Sequence, residues 1–511
     1  MSHRRRNRPS PLRGSNGIAF GPDGRLHVAE FLAGRISAVD LASGEVEVVT
    51  PADGPLQSPD DLAFGVDGSM YVTDLVPGRV WRRDPRGVCT LVSDAVLVPN
   101  GIACVGERLF VNEMRVGGRL VELFPTGGDP VVLADGLAMG NAMQLGPDGC
   151  LYYPHMLTGE VFRISPDGGP PELVAAEVHE PVAVRFDRGG VLVVLSRGAA
   201  GIVTRVDLFG SGERRIVTTG VAGLDNAAFD GENRMYVSSF ASGGITEVHP
   251  DGRTREVVPR GLVGPHGVAV DAGGTVYAGD HYRVAIPADP EVVTHELLIF
   301  THGIAADRGL LHVTSQYGDV RTHDPARRTT RVRATGLARP TGIAVRGDGT
   351  LVVAEAGAGR VVAIDADDRV TVVADGFDEP LDVAFDAGQR CYVSDERRGA
   401  VYRLDGGPSV SVVDGLVAPQ GVAVRGDELF IVEAGRRRLL AVRLDTGERR
   451  IEADDLAVGS PRTTTPELFT HGMPGVPRQF AGLATGPDGS LYLSANGEGS
   501  VLRLSPTAGT G

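Results

Sequence analysis

An all-β fold of repeated four-stranded sheets is predicted by three observations. First, a phrase of the type SNGIAFGPDGRLHVAE recurs twelve times, aligned on residues 16, 60, 100, 141, 182, 225, 266, 302, 341, 381, 420 and 481, at intervals of 36 to 44 residues except for the last, of 61. Second, each copy sets two alternating apolar runs around a turn such as GPDG, DAGG or RGDG, the pattern of a β-hairpin. Further short alternating runs such as GRISAVDL and EVEVVT supply two more strands. Third, apolar stripes at helical spacing are absent. A four-stranded unit of about 40 residues is a propeller blade, because radial packing buries both faces of each sheet and leaves only short edges. Twelve blades exceed the roughly four to eight of one ring. The expectation is therefore two tandem six-bladed β-propellers, with one oversized ring or an exchange of strands as the alternative topology.

Taken in order, residues 1–14 read as a basic tail whose Arg4–Arg6 run is solvated. Residues 15–260 form the first propeller. The seam falls near 255–264, in EVVPRGLVGPHG, and residues 261–511 form the second propeller. The last copy ends in VLRLSPTAGTG with no outer strand, so that strand is expected from the irregular stretches 284–300 or 451–470. The RGD triplets at Arg346–Asp348 and Arg425–Asp427 occupy hairpin turns, and Arg436–Arg438 an exposed turn.

With 511 residues, 42% hydrophobic content and 71 glycines, the composition suits two packed β-domains with glycine in the turns. A formal net charge of −15 argues against nucleic acid as a partner, since phosphate binding needs clustered cations. No apolar stretch is long enough to span a membrane and no hydrophobic run follows the basic N-terminus, so a cytoplasmic location is expected. Cys89, Cys104, Cys150 and Cys391 stand singly, without metal-ligand spacing, and read as buried free thiols. All 50 cationic residues are arginine. The absence of lysine excludes Schiff-base chemistry and a phosphate-loop lysine on this chain, and neither GxSxG nor HExxH occurs.

Candidate site residues follow from the hairpin. Antiparallel pairing returns the residue before the first strand and the residue ending the second to one edge. Six such pairs converge around each axis. In the first ring they are Asn16 with Glu30, Asp60 with Asp74, Asn100 with Glu113, Asn141 with His155, Val182 with Ser196, and Asp225 with Ser239. Asn16, Asp60, Asn100, Asn141 and Asp225 place oxygen donors around a narrow channel, a set suited to Ca²⁺ or Mg²⁺. Asn and Asp before a strand also bond their own backbone in tight turns, which is the competing reading. In the second ring the axial residues are His266, His302, Thr341, Leu381, Gln420 and Ala481. That set cannot form an oxygen cage. His266 and His302, with Asp280 and His281, offer an alternative site: an acid–base pair, part of a transition-metal site, or a structural cluster.

The pattern in VPNGIACVGERLFVNE and ARPTGIAVRGDGTLVVAE resembles the superfamily of gluconolactonase, senescence marker protein and luciferin-regenerating enzyme, and also NHL-repeat propellers and streptogramin lyase. The resemblance spans the chain and specifies fold better than activity. It implies a divalent cation held on the axis, with Asn100, Asn141 and Asp225 at the matching positions. Asn16 stands where such lactonases carry Glu, and Asp60 in the next blade is the residue that could replace the missing charge. GPHGVAV at His266 is similar to the streptogramin-lyase motif, whose enzymes cleave a C–O bond with a metal and a histidine. The implied function is a metal-dependent lactonase or hydrolase acting on a small lactone or ester, with Asp225 or His155 handling protons and no organic cofactor. A lyase or cyclase of secondary metabolism and a non-catalytic ligand- or protein-binding double propeller are the other classes.

Overall fold

Each repeat copy folds as a four-stranded antiparallel sheet. In the computed structural model, which describes residues 2–292, 297, 300–459 and 479–505, there are twelve such sheets among the described residues. The first is typical. Ser15–Phe20, Leu26–Glu30, Arg35–Val39 and Val46–Thr50 lie side by side in chain order, joined by short turns. Alternate side chains leave opposite faces, so each sheet contributes to two cores. Ile18, Leu26 and Val28 pack with Tyr236 and Ile245 of the sixth sheet, whereas Ala29 and Ile36 pack with Leu62, Met70 and Val72 of the second.

The chain divides into two compact units, Ser10–Val263 and Gly264–Gly511 with Met1–Pro9. In the first, six sheets span 15–50, 59–93, 99–138, 144–175, 181–218 and 224–258, and their first strands adjoin one another in a closed cycle. In the second, the sheets of 265–292, 301–334, 340–374, 380–413, 419–453 and 483–505 do the same. The close approach of inner strands explains the glycine or alanine that follows the axial position in nine of the twelve copies. A Cβ on Gly17 would lie 2.5 Å from the Cα of Asp61, and one on Gly303 would lie 2.2 Å from the carbonyl oxygen of Thr341.

On four of the second strands a hydroxyl or carboxamide stitches neighbouring sheets. Thr314 Oγ1 accepts from Gly303 N at 2.8 Å and donates to the Thr341 carbonyl; Ser394 accepts from Asp382 N at 3.1 Å and donates to the Gln420 carbonyl at 2.6 Å. Asn112 accepts from Gly101 N at 3.0 Å and reaches the Asn141 carbonyl at 2.6 Å. Ser238, which donates to the Asn16 carbonyl, closes the first cycle by the same device. Satisfying these buried backbone groups is obligatory, since an unpaired one costs as much as a lost hydrogen bond.

Two expectations need correction at the N-terminus. Residues 1–14 are not a free tail: Ser2–Arg5 pairs antiparallel with Ser500–Ser505 and forms the outer strand of the twelfth sheet. Leu12 is fully buried in the first unit. The missing outer strand thus comes from neither 284–300 nor 451–470. Asp289–Val292 completes the seventh sheet and Arg449–Ala453 the eleventh, while 293–296, 298–299 and 460–470 lie outside the described residues. Both RGD triplets do occupy turns: Gly349 N bonds Arg346 O at 2.8 Å, and Arg425 pairs with Glu428 across Gly426 and Asp427. The four thiols are free, but only Cys391 is fully buried.

The chain therefore enters through the last strand of one unit, builds the other unit, and returns. Arg5 ties the strand down with a two-pronged bond to Glu498, at 2.8 and 2.7 Å, and Asn7 bonds both Gly499 O and Val501 N. Removing residues 2–7 should destabilise the 264–511 unit by about 2–5 kcal/mol, the worth of a few ladder bonds and the exposed edge they leave, with the 10–263 unit unaffected. Differential scanning calorimetry showing one transition lowered and one unchanged is the expected result.

Candidate functional site

In ten of the twelve sheets the inner strand begins with a register shift that sets its axial residue apart from the ladder. The second-strand residue pairs with the residue preceding the axial one, Ser15 with Glu30, Pro59 with Asp74 and Pro99 with Glu113, and the register then shifts. Both predicted positions therefore reach the same edge, but they serve different ends. The second-position carboxylates turn to the loop that enters their own sheet. Glu30 accepts from Arg13 N at 2.9 Å, Asp74 from Ser58 N at 2.6 Å and Glu113 from Leu97 N at 3.0 Å. Asp280, Glu355, Asp395 and Glu433 make the same bond in the other unit, to Gly264, Ala338, Asp378 and Val417. A contact that recurs in seven sheets across both units serves the entering loop of the sheet rather than one unit's axis. Asp280 is accordingly a loop anchor, bonded also to Arg283 at 3.3 Å.

The axial residues of the 10–263 unit are all buried. Asn16 Nδ2 donates to Asp60 Oδ2 at 3.3 Å, and Asn100 Nδ2 and Asn141 Nδ2 both point at the Met114 sulfur, at 3.2 and 3.6 Å. The Oδ1 atoms of Asn16 and Asn100 are buried with no hydrogen-bond partner among the described residues. Asn141 differs, since its Oδ1 accepts from Ala142 N at 2.7 Å, the own-backbone bond of the competing reading. Asp225 has no hydrogen bond to its carboxylate among the described residues. Burial lifts Asp60 to about 8, with the charge of Asp61 adding to the rise and the Asn16 bond opposing it. Burial likewise raises Asp225 well above the usual carboxylate range, reinforced by Asp60 and Asp61 and opposed by Arg185. These carboxylates come from the second and sixth sheets and bear on each other across the cycle.

Beneath them lies a network that the sequence reading passed over. Asn226 Nδ2 donates to Asp61 Oδ1 at 2.9 Å, and Arg185 of the fifth sheet bonds Asn226 Oδ1 and stands 3.9 Å from Asp61. The fifth sheet offers only Val182 at its axial position, so Arg185 is its polar contribution. The three carboxylates of Asp60, Asp61 and Asp225 with the one guanidinium of Arg185 leave two negative charges when all are ionised. Buried charge of that size is costly without an ion or protons to offset it.

His155 does not join this set. Its ring packs on Phe162 with centroids 4.5 Å apart and on Tyr153 at 5.7 Å, and the charge that bears on it is that of Glu160. The reason is the alternation of the strand: residues 153 and 155 share one face and turn into the core between sheets. In the other unit, His266, His302 and His281 do cluster, with ring centroids 5.1 Å apart for His266 and His302 and 6.1 Å for His266 and His281. His281 Nδ1 meets Gln316 Nε2 at 3.1 Å, its Nε2 is buried without a hydrogen bond among the described residues, and burial pushes its pKa down to about 3, with His302 adding to the fall. Gln420 bonds Glu396 at 2.8 Å, and Leu381 and Ala481 are fully buried. Among the described residues, no group of three or more His, Cys, Asp or Glu side chains is arranged to hold a metal ion. The axial set of the 10–263 unit instead mixes two carboxylates with carboxamides.

No family model matches the chain, and no curated protein does. Among solved structures it is similar to a streptogramin B lyase, at 18% identity and a TM-score of 0.41, over 54% of this chain and 94% of that one. It is similar to virginiamycin B lyase from Staphylococcus aureus at 17% identity and a TM-score of 0.40, over 56% and 97%. A gluconolactonase from Xanthomonas campestris aligns at 16% identity and a TM-score of 0.39, over 46% and 86%.

Proposed function

We propose that the chain is a pair of six-bladed β-propellers in which the 10–263 unit is a divalent-cation-dependent enzyme acting on a small lactone or ester. The observation that carries this reading is the pair of buried, unpartnered carboxamide oxygens of Asn16 and Asn100 set with the mutually repelling carboxyls of Asp60 and Asp225. Orphaned buried oxygens are rare in folded proteins and call for a ligand. Asn16, Asp60, Asn100 and Asp225 would hold Ca²⁺ or Mg²⁺, whose oxygen preference and charge this set matches, with Asn141 less available because its oxygen is engaged. When bound, such a cation supplies Lewis-acid polarisation of an ester carbonyl.

The side chains do the remainder. Asp225, whose carboxylate makes no hydrogen bond among the described residues, would take a proton from a water attacking the ester carbon and return it to the departing alkoxide. The buried aliphatic side chain of Val182 leaves one side of the axis apolar, a surface for the carbon skeleton of the substrate. The histidine cluster of the other unit favours a second reading, elimination or cyclisation by a neutral imidazole base. A panel of small lactones followed by pH-stat titration distinguishes the two. The lactonase reading expects ring opening with acid release that stops on chelation and returns with Ca²⁺ or Mg²⁺; turnover indifferent to chelation and lost on changing His281 supports the imidazole reading.

A further inference from the structure

The twelve repeat copies agree closely at two positions near the axis. The third residue after the axial one is alanine in ten copies, the exceptions being Gln144 and Arg185. The residue directly after the axial one is glycine or alanine in nine, the exceptions being Asp61, Asn226 and Asp382. Because ten or nine copies build the same blade with a small residue, the fold itself does not ask for these polar side chains. Three of the five departures, Asp61, Asn226 and Arg185, come from the second, sixth and fifth sheets and meet in one buried network.

Arg185 is held on every side. Its Nε donates to Ala227 O at 3.0 Å, its Nη1 to Met143 O and Val184 O, both at 2.9 Å, and its Nη2 to Asn226 Oδ1. A planar fork engaged by four acceptors cannot swing toward Asp60 or Asp225. Asp61 is equally committed, accepting from Leu62 N at 2.9 Å and from Asn226 Nδ2 at 2.9 Å, with Ile102 N at 3.4 Å. Gln144 braces the same place by accepting from Phe186 N at 2.8 Å. Among the described residues Arg185 is the one cation that bears on Asp225.

We propose that Arg185 is a positioning residue of the axial site: a fixed internal counter-ion that takes up the charge of Asp61, so that Asp60 and Asp225 present a net charge of two and select a divalent over a trivalent cation. The inference rests on the axial-cation reading above. Charge matching follows because a unit charge within a few ångströms in a buried site outweighs differences in ligand geometry between ions of similar size.

The test is isothermal titration of chelator-stripped full-length protein with Ca²⁺ and with Tb³⁺. In Arg185→Met the net charge becomes three, and the Tb³⁺-to-Ca²⁺ affinity ratio should rise by about tenfold or more over wild type. Arg185→Lys keeps the charge without the fork and should hold the ratio within about threefold of wild type even where its melting temperature falls. Asp61→Asn added to Arg185→Met removes the extra charge and should return the ratio to the wild-type value. A ratio that does not move in Arg185→Met, or that Asp61→Asn does not restore, overturns the proposal. If Arg185→Met does not fold, Asp61→Asn alone decides, because it must lower the ratio by a similar factor. Wild-type protein that binds neither ion overturns the axial-cation reading instead.

Discussion

Asp225→Asn is expected to weaken Ca²⁺ or Mg²⁺ binding by about 100-fold or more, and His155→Ala to change it by less than about threefold. The substitution preserves the shape of the side chain and removes one of two charges. Asp225 is buried and its carboxylate makes no hydrogen bond among the described residues, so little in the fold depends on it, and no protein donor is left unpaired by the change. Its charge is instead opposed by Asp60 and Asp61. Loss of affinity without loss of folding is the signature of a ligand. His155 lies on Phe162, outside the set, and its removal should appear as a modest loss of packing. Titration calorimetry on the two variants reads both effects.

The metal-free protein should lose stability as pH rises, the reverse of the usual behaviour of a carboxylate held by a cation. Asp60, near 3.8 when unfolded, is raised to about 8 in the folded state, mainly by burial. The folded state then binds protons that the unfolded state releases. The stabilisation is complete below about pH 4 and is lost as pH climbs through about 8. Asp225 moves in the same direction. The loss should reach a few kcal/mol, since each pKa unit is worth about 1.4 kcal/mol. Melting temperatures of the 10–263 unit in chelator should therefore fall from pH 5 to pH 8. Saturating Ca²⁺ should abolish that fall, and Asp60→Asn should flatten it. A melting temperature independent of pH in chelator would contradict the burial and mutual repulsion of these carboxyls.

The blades were legible because their signal is periodic: twelve hairpins with alternating apolar residues leave little choice of architecture, and the division after Val263 falls within the seam read from EVVPRGLVGPHG. The outer strand of the last sheet was not legible. Ser2–Arg5 is four polar residues paired with a strand some 500 positions away, and nothing local in SHRR distinguishes a strand from a tail. At the site, the axial positions could be counted from the repeat, but spacing alone could not separate Asp60, which faces the axis, from Asp74, which anchors a loop. Only the hydrogen bonds do that. His155 misled because a polar residue at a repeat position reads as facing the axis, while the pleat turns its ring into the core. Arg185 carried a signal of another kind, a charged residue where ten copies have alanine, visible by aligning copies at every position and not only at the strand ends.

Elemental analysis of the full-length protein, purified in buffer containing calcium and magnesium and then freed of loosely held ions, tests the axial-cation reading most directly. One divalent ion per chain in the wild type, and none in Asp225→Asn, is the predicted result. A wild-type chain without bound ion, still folded and still without measurable affinity for either cation on titration, would contradict it and leave the orphaned oxygens of Asn16 and Asn100 to be satisfied by water alone.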